Sequence, residues 1–267
     1  KRRTGQVNEP TFSIVIPVYS ESATNDHHFR GLTVQRAIKS IVNQQYPHWE
    51  LILVDDGCAD GFTPDILHRF AERDPRIRVV AQANQNRAIA RNTGMDAATG
   101  DWICWLDSDD EYSSHYLREI AAAIEDFPEY KIFNFGSLIN FSDHHTAVRP
   151  VFTPAEEGDG HEWFRSGHIG AGSFAFRRDL WLSKPEYRIP DQVNPYQFAA
   201  DSGFPMRWES TEPDRGDNPE NAFQDGVYRH GSSLGNPWGA DFLQFYRLTR
   251  DNQSQPRNVL MYIQYVR

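Results

Sequence analysis

Apolar residues in the first half of this chain come in short runs, and each run ends in a polar tip. Phe12-Ser-Ile-Val-Ile-Pro-Val-Tyr19 closes on Pro17 and Tyr19, and Trp49-Glu-Leu-Ile-Leu-Val-Asp-Asp-Gly57 on Asp55, Asp56 and Gly57. Trp102-Ile-Cys-Trp-Leu-Asp-Ser-Asp-Asp110 closes on Asp107, Asp109 and Asp110. Runs of this length, rich in β-branched and aromatic residues and bounded by turn formers, predict buried strands. Between them the period changes. Val34, Ala37, Ile38, Ile41 and Val42 recur at helical spacing within Thr33–Gln45, and Pro64–Arg73 reads as a second helix. A short strand at Ile77–Val80 and a helix from Arg87 to Ala98, closed by Gly100, complete the pattern. Strands alternating with helices predict βαβ units and an α/β fold with a mostly parallel, Rossmann-like sheet. Three strand tips then deliver Tyr19, Asp55/Asp56 and Asp107/Asp109 to one edge, the edge at which open α/β sheets bind ligands.

The second half is less regular. Ile169-Gly-Ala-Gly-Ser-Phe-Ala-Phe-Arg177 reads as a glycine-bearing loop that leads into a strand, with Trp181 expected in the core. From about 185 to 235 Pro185, Pro190, Pro195, Pro205, Pro213 and Pro219 break any long helix, and Glu209–Asp225 is acidic. Tyr196, Phe198, Phe204, Trp208, Phe223 and Tyr228 suggest that this long insertion packs rather than floats.

Composition narrows the class. With 267 residues there is ample material for a core, as one large domain or two small ones. A formal charge of −10 argues against nucleic acid, whose phosphates need clustered Lys and Arg; the short basic run Lys1-Arg-Arg3 reads as a solvated end. No apolar run approaches the roughly 20 residues that span a bilayer, so no transmembrane segment is expected. No signal peptide is visible, and the chain starts at Lys1 rather than Met, as an excised part of a larger protein would. Cys58 and Cys104 do not suggest a structural disulfide, which makes a reducing, cytoplasmic location the default, free or peripheral to a membrane. The Asn140-Phe-Ser142 and Asn252-Gln-Ser254 triplets carry no weight by themselves.

The carboxylates carry the chemistry. Aspartates separated by one residue can converge on a hard divalent cation, since oxygen ligands suit Mg²⁺ and Mn²⁺. Such a cation would bind a pyrophosphate. A solvated acidic turn is the plain alternative for Asp107–Asp110.

The succession Ile-Val-Ile-Pro-Val-Tyr19, Ile-Val-Asn-Gln-Gln-Tyr46, Leu-Val-Asp-Asp-Gly57, Ala-Arg-Asn-Thr-Gly94 and Leu-Asp-Ser-Asp-Asp110 resembles the family 2 glycosyltransferases of GT-A fold. The resemblance covers residues 12 to about 182 and resumes near 236. It implies one GT-A domain over 1–267, with a nucleotide-sugar-binding half (12–112) and an acceptor-side half (113–267) that carries the insertion. It also implies helices on both faces of the sheet and an inverting, metal-dependent hexosyl transfer from a nucleotide diphosphate sugar, with UDP-sugar favoured. The acceptor would be a glycan or other hydroxyl, in glycan or polysaccharide synthesis.

Residue by residue, the resemblance makes Asp109 the direct Mn²⁺ or Mg²⁺ ligand. Asp107 would contact the ribose or reach the metal through water, and Asp110 would support the sugar or cap the next helix. Asp56 would accept the imide N–H of uracil, with an Asx turn onto Gly57 as its alternative reading. Tyr19 would stack on the base over a pocket floor shaped by Pro17, and Glu21 matches an acidic position after it. Arg91 would approach the diphosphate or base, with a structural ion pair as the alternative. The family's glycine-containing loop before this helix is replaced by Asn84-Gln-Asn-Arg87, which adds Arg87 as a phosphate candidate.

Inversion needs one general base on the acceptor hydroxyl. The resemblance places it at Asp241, which opens the aromatic-rich segment Trp238–Leu248; Ala240 stands where the family more often has Glu. Asp201 is a second candidate. The run Val259–Arg267 resembles the strand that closes the family's catalytic domain, with Tyr265 or Arg267 toward the diphosphate, and Trp163 and His168 fall on the acceptor side. Three other classes compete. A sugar-nucleotide nucleotidyltransferase wants a Gly-rich, basic loop after the first strand, where this chain has Ser20-Glu-Ser-Ala-Thr-Asn-Asp26. A non-catalytic sugar- or protein-binding module with a retained fold would explain Ala240 and the altered loop. A haloacid-type phosphatase would want Thr or Val where Glu111 stands.

Overall fold

A computed structural model describes residues 9–21, 27–141, 146–149, 172–185, 188, 223–224, 227–228 and 254–266. In chain order the N-terminal elements are β1 (Phe12–Val18), α1 (His27–Val42), β2 (Trp49–Asp55), α2 (Thr63–Arg73), β3 (Ile77–Ala81), α3 (Arg87–Ala97) and β4 (Trp102–Trp105). They are followed by β5 (Glu111–Tyr112), α4 (Tyr116–Asp126), β6 (Ile132–Phe141), β7 (Thr146–Arg149), β8 (Phe174–Arg177) and α5 (Arg178–Ser183). The two-residue strands β9 (Phe223–Gln224) and β10 (Val227–Tyr228) pair with each other, and β11 (Ser254–Val266) returns to the main sheet.

Nine strands form that sheet, in the order β3-β2-β1-β4-β8-β6-β11-β5, with β7 on the side of β6. The β3-β2-β1-β4 portion is parallel, as the alternation of strands and helices requires. The strand β8 then runs antiparallel between β4 and β6, while β11 runs parallel to β6. The expected α/β class holds, and the sheet is mixed beyond β4.

Successive side chains of the central strands point to opposite faces, and each face has its own core. Phe12, Ile14, Ile16, Leu51, Leu53 and Cys104 pack with Val34, Ala37, Ile38 and Ile41 of α1 and with residues of α2 and α4. Val15, Ile52, Val54, Ile103 and Trp105 pack on the opposite face with Ala88, Ala90 and Met95 of α3 and with Leu180 and Trp181 of α5. Helices therefore cover both faces, and Trp181 is core as expected. Gly94 allows α3 to lie this close: a Cβ there would overlap Val15 Cγ1 and stand 3.0 Å from Val54 Cγ2.

Several boundaries move. The first helix begins at His27, earlier than its apolar stripe suggested, and ends at Val42 rather than Gln45. The closing strand β11 begins at Ser254, ahead of the expected Val259. The insertion at 185–235 lies almost wholly outside the described residues, as do Trp163, His168, Asp201, Trp238–Leu248 with Asp241, and Arg267. Among the described residues no helix is long and apolar enough to cross a membrane.

Candidate active site

The chain moves from β1 outward through β2 to β3, and then crosses back to place β4 on the other side of β1. The gap between β1 and β4 is thus a topological switch point, the usual crevice for ligands in such sheets. The ladder between them ends early. The last paired residues are Val15 and Trp105, and Leu106 N donates to Val15 O at 2.9 Å, whereas β1 stays paired with β2 through Val18. Pro17 sits just past that end. Alternation aims its backbone at β4, and a proline nitrogen has no hydrogen to extend the ladder. Pro17 therefore lets the two strands part, which gives a physical content to its expected role at the pocket floor.

The three tips emerge side by side. Tyr19 follows β1 half-buried, with Glu21 exposed beyond it. Asp56 N donates to Val18 O at 2.9 Å, so the tip of β2 is fastened to that of β1. Asp55 caps the turn instead: its Oδ1 accepts from Cys58 N, three residues on, at 2.8 Å. Asp56 is thereby released from the turn role considered for it. Its buried carboxylate instead faces the loop after β3, accepting from Gln82 Nε2 at 2.7 Å and from Gln85 N at 2.9 Å. Burial pushes the Asp56 carboxyl above the usual range despite these donors. Gly57, at φ +77°, lets the same loop close in, since a Cβ would stand 2.9 Å from Asn84 N.

That loop explains the missing glycine. Asn86 takes φ +86°, the kind of backbone that favours glycine, and its side chain caps α3 by accepting from Ala88 N at 2.9 Å and Ile89 N at 3.2 Å. One residue supplies the turn and the cap together. The first two turns of α3 then bring Arg87 and Arg91 toward Asp107 at the tip of β4.

Arg91 is almost fully buried. Its Nη2 lies 2.5 Å from Asp107 Oδ1, and its Cζ lies 3.8 Å from the centre of the Trp105 ring. Burial raises the Asp107 carboxyl, but the charges of Arg91 and Arg87 and the Arg91 hydrogen bond outweigh it and hold the group below the usual carboxylate range. Asp110 N closes a turn onto Asp107 O at 3.1 Å. Asp109 is exposed at the apex of that turn, and Asp110 is buried. The helix-cap reading of Ser108 and Asp110 is corrected here: β5 intervenes, and α4 starts only at Tyr116 behind His115.

The acidic turn is thus not merely solvated. Asp107 is committed to Arg91 and suits an indirect or ribose contact, while Asp109 is the solvent-exposed carboxylate of the turn. Among the described residues no three His, Cys, Asp or Glu side chains converge. Mg²⁺-type ions at phosphate sites commonly take only one or two carboxylates, with the other ligands from substrate phosphate and water. The donor set fits such an ion.

Comparison with known proteins decides the family. The profile described as Glycosyl transferase family 2 matches residues 13–184, more than half of the chain. The chain belongs to glycosyl transferase family 2. Among curated relatives it is similar to TuaG of Bacillus subtilis (strain 168), a glycosyltransferase assigned to teichuronic acid biosynthesis, with 35% identity over 112 residues. That match covers 42% of this chain and 40% of the relative. The O-antigen biosynthesis protein RfbC of Myxococcus xanthus is 34% identical over 147 residues, which are 54% of this chain and 11% of RfbC. The matches thus span less than half of either relative's length. In fold the chain is similar to S. aureus TarS 1–349, with a TM-score of 0.61 at 14% identity, covering 96% of this chain and 60% of that one. The family 2 chain thus has the expected GT-A type of architecture, with the candidate residues on its strand tips.

Sequence reasoning overlooked two contributors to this site. Gln82 orients Asp56, and Arg36 of α1 donates from Nη2 to the backbone oxygen of Asp109 at 2.5 Å. Arg36 carries a legible signal, a polar position spaced four residues from Ser40 and eight from Gln44 beside an apolar helical stripe. Gln82 has none.

Proposed function

We propose that this chain is a single-domain, metal-dependent inverting glycosyltransferase that moves a sugar from a UDP-sugar to an acceptor hydroxyl in glycan or polysaccharide synthesis. The observation that carries the reading is the Arg91–Asp107 pair beside the exposed Asp109 at the β1/β4 switch point of a family 2 fold, with the buried Asp56 on the neighbouring tip of β2. The one sheet that takes strands from residue 12 to residue 266 supports a single domain. Crystals of TarS in complex with UDP and with UDP-GlcNAc support a uridine donor on this architecture.

Each residue then has a role. Tyr19 stacks on the base, and Asp56 accepts its imide N–H, a contact that needs the carboxylate ionised. Asp107, held by Arg91, receives the ribose. Arg87, at the open start of α3, is positioned to meet the diphosphate, with Glu21 on the rim. Asp109, supported by Asp107 through water, would hold a Mn²⁺ or Mg²⁺, which when bound stabilises the charge of the departing diphosphate. Asp241 takes the acceptor hydroxyl proton as the oxygen attacks the anomeric carbon from the face opposite the leaving group, and the configuration inverts.

Calorimetric titration with UDP and with GDP, each with and without Mn²⁺, tests the donor half of this reading. Metal-dependent binding of UDP in preference to GDP is the expected result. Absence of binding by either nucleotide would favour a non-catalytic module. Asp241→Asn should keep donor binding and lose transfer; normal turnover would move the base elsewhere.

A further inference from the structure

One flank of α1 is polar in a regular way. Arg36, Ser40 and Gln44 follow each other at four-residue spacing, next to the apolar stripe of Val34, Ala37, Ile38 and Ile41 that faces the core. Positions four apart in a helix stand one above the other, so these three form a column that ends just past the last turn of α1.

All three reach the segment that follows the turn at Asp107–Asp110. Arg36 Nη2 donates to Asp109 O at 2.5 Å, and Arg36 Nε lies 3.1 Å from Glu111 Oε1. Ser40 Oγ accepts from Tyr112 N at 3.2 Å and donates to Ala37 O at 2.7 Å. Gln44 Nε2 donates to Ser113 O at 2.7 Å, and its Oε1 accepts from Leu117 N at 3.0 Å. Gln45 N completes the series onto Ser114 O at 2.9 Å. Between Asp109 and the start of α4 at Tyr116 the chain contains only the two-residue strand β5, so few ladder bonds hold it. Its placement depends on α1.

The rung nearest the site differs from the others. Ser40 and Gln44 serve main-chain groups further along the segment, whereas Arg36 grips the carbonyl of Asp109 itself, the exposed residue of the turn at the tip of β4. The Arg36 guanidinium hydrogen-bonds the Asp109 carbonyl through Nη2 while its charge stays beside the Glu111 carboxylate, a combination set by its rigid plane that an ammonium does not reproduce. Fixing the 109–110 peptide fixes the direction in which the Asp109 side chain leaves the backbone. Ligand side chains need their geometry held to about 0.5 Å, and supporting contacts of this kind typically change metal affinity by about 10- to 100-fold. The Arg36–Glu111 ion pair is itself about a third exposed on the arginine side, and pairs of that kind add little to global stability.

We propose that Arg36 is a positioning residue for Asp109: it sets the metal-ligand geometry from α1, with Ser40 and Gln44 splinting the segment behind it. This rests on the reading of Asp109 as the metal ligand. The test is titration of UDP with and without Mn²⁺ on the full chain, comparing wild type, Arg36→Gln, Arg36→Lys and Asp109→Ala, with thermal melting alongside. Asp109→Ala should remove the Mn²⁺-dependent gain in UDP affinity. Arg36→Gln should reduce that gain by about tenfold while metal-free UDP affinity and melting temperature stay near wild type, and Arg36→Lys should fall between. If Asp109→Ala loses the gain and both Arg36 variants keep it, the positioning role is overturned and the Asp109 reading stands. If Asp109→Ala keeps the gain, or wild type shows none, the Asp109 reading itself fails. Loss of metal-free affinity and melting temperature in step with the gain in both Arg36 variants would make Arg36 a structural residue only.

Discussion

Arg91 Nη2 and Asp107 Oδ1 stand 2.5 Å apart, and the guanidinium that makes this contact is stacked on the Trp105 ring. The pair joins α3 to the tip of β4 across the sheet's switch point. It also distinguishes two aspartates separated by a single serine: Asp107 is held by Arg91 and ionised, and Asp109 stands exposed at the apex of the turn.

Replacing Arg91 with Met should therefore damage the fold as well as the site. The side chain is 1% exposed, and its loss leaves the Asp107 charge largely buried and unpaired. Breaking such a pair costs roughly 3–5 kcal/mol, and the 17% exposure of Asp107 argues for about 3. Urea unfolding at pH 7 would measure it. A change under about 1 kcal/mol would mean that the pair is solvated in practice.

The same variant predicts a pH dependence. The folded-state pKa of Asp107 is lowered, so its stabilising contribution is complete above the ordinary carboxylate value and is lost as pH falls through the lowered one. Without Arg91 the strongest of the charges that oppose burial is gone, and that contribution shrinks or changes sign. The stability difference between wild type and Arg91→Met should narrow from pH 6 to pH 3. Unfolding curves at successive pH values would show it, and a constant difference would contradict the assigned cause.

How much of this was legible follows from what each residue had to do. The strand tips could be read because a buried strand ending in carboxylates leaves a run that no other element produces, as at Trp102–Asp107. Pro17 was visible as a residue but not as a device, since its effect depends on which neighbour its nitrogen faces, and that is set by the later arrival of β4 beside β1. That Asp55 rather than Asp56 caps the turn after β2 is a rotamer-level outcome of two adjacent identical residues. The antiparallel insertion of β8 between β4 and β6 was not legible, because Phe174–Arg177 reads as a strand without naming its partners.

Asn86 offers a test of the turn and the cap separately. Asn86→Gly keeps access to φ +86° and loses the side-chain acceptor for Ala88 N and Ile89 N, a change expected to cost a few tenths of a kcal/mol. Asn86→Ala loses the cap and must also force a Cβ into that backbone region, for roughly 2 kcal/mol in all. Chemical denaturation of both variants should rank Gly above Ala. Equal losses would mean that the cap alone matters.

Gly94 predicts a steric effect that reaches the site through packing. An alanine methyl would overlap Val15 of β1 and force α3 away from the sheet, at a cost of roughly 1–3 kcal/mol for an overpacked core. Because α3 carries Arg87 and Arg91, nucleotide affinity should fall along with the melting temperature. Retained affinity at lowered stability would mean that α3 pivots about its N-terminal end.

Gln82 yields the prediction that bears most directly on base recognition. Its amide donates to Asp56, and together with Gln85 N it opposes a burial that has already raised the Asp56 carboxyl. An acid with a raised folded pKa is protonated at higher pH than usual, and a protonated Asp56 loses the charged acceptor that the uracil imide N–H requires. Affinity for a UDP-sugar should therefore fall on the acid side, with a midpoint above the ordinary carboxylate value. Gln82→Leu removes one donor while keeping nearly the same volume, so the midpoint should move further up and affinity at pH 6 should drop more than at pH 8. A UDP-sugar is the right probe, because its diester phosphates stay ionised across this range and do not titrate alongside Asp56. Titration of both proteins from pH 5 to pH 8 would measure the two midpoints. Coincident midpoints would remove Gln82 from base recognition, and affinity flat with pH in both would remove Asp56 as well.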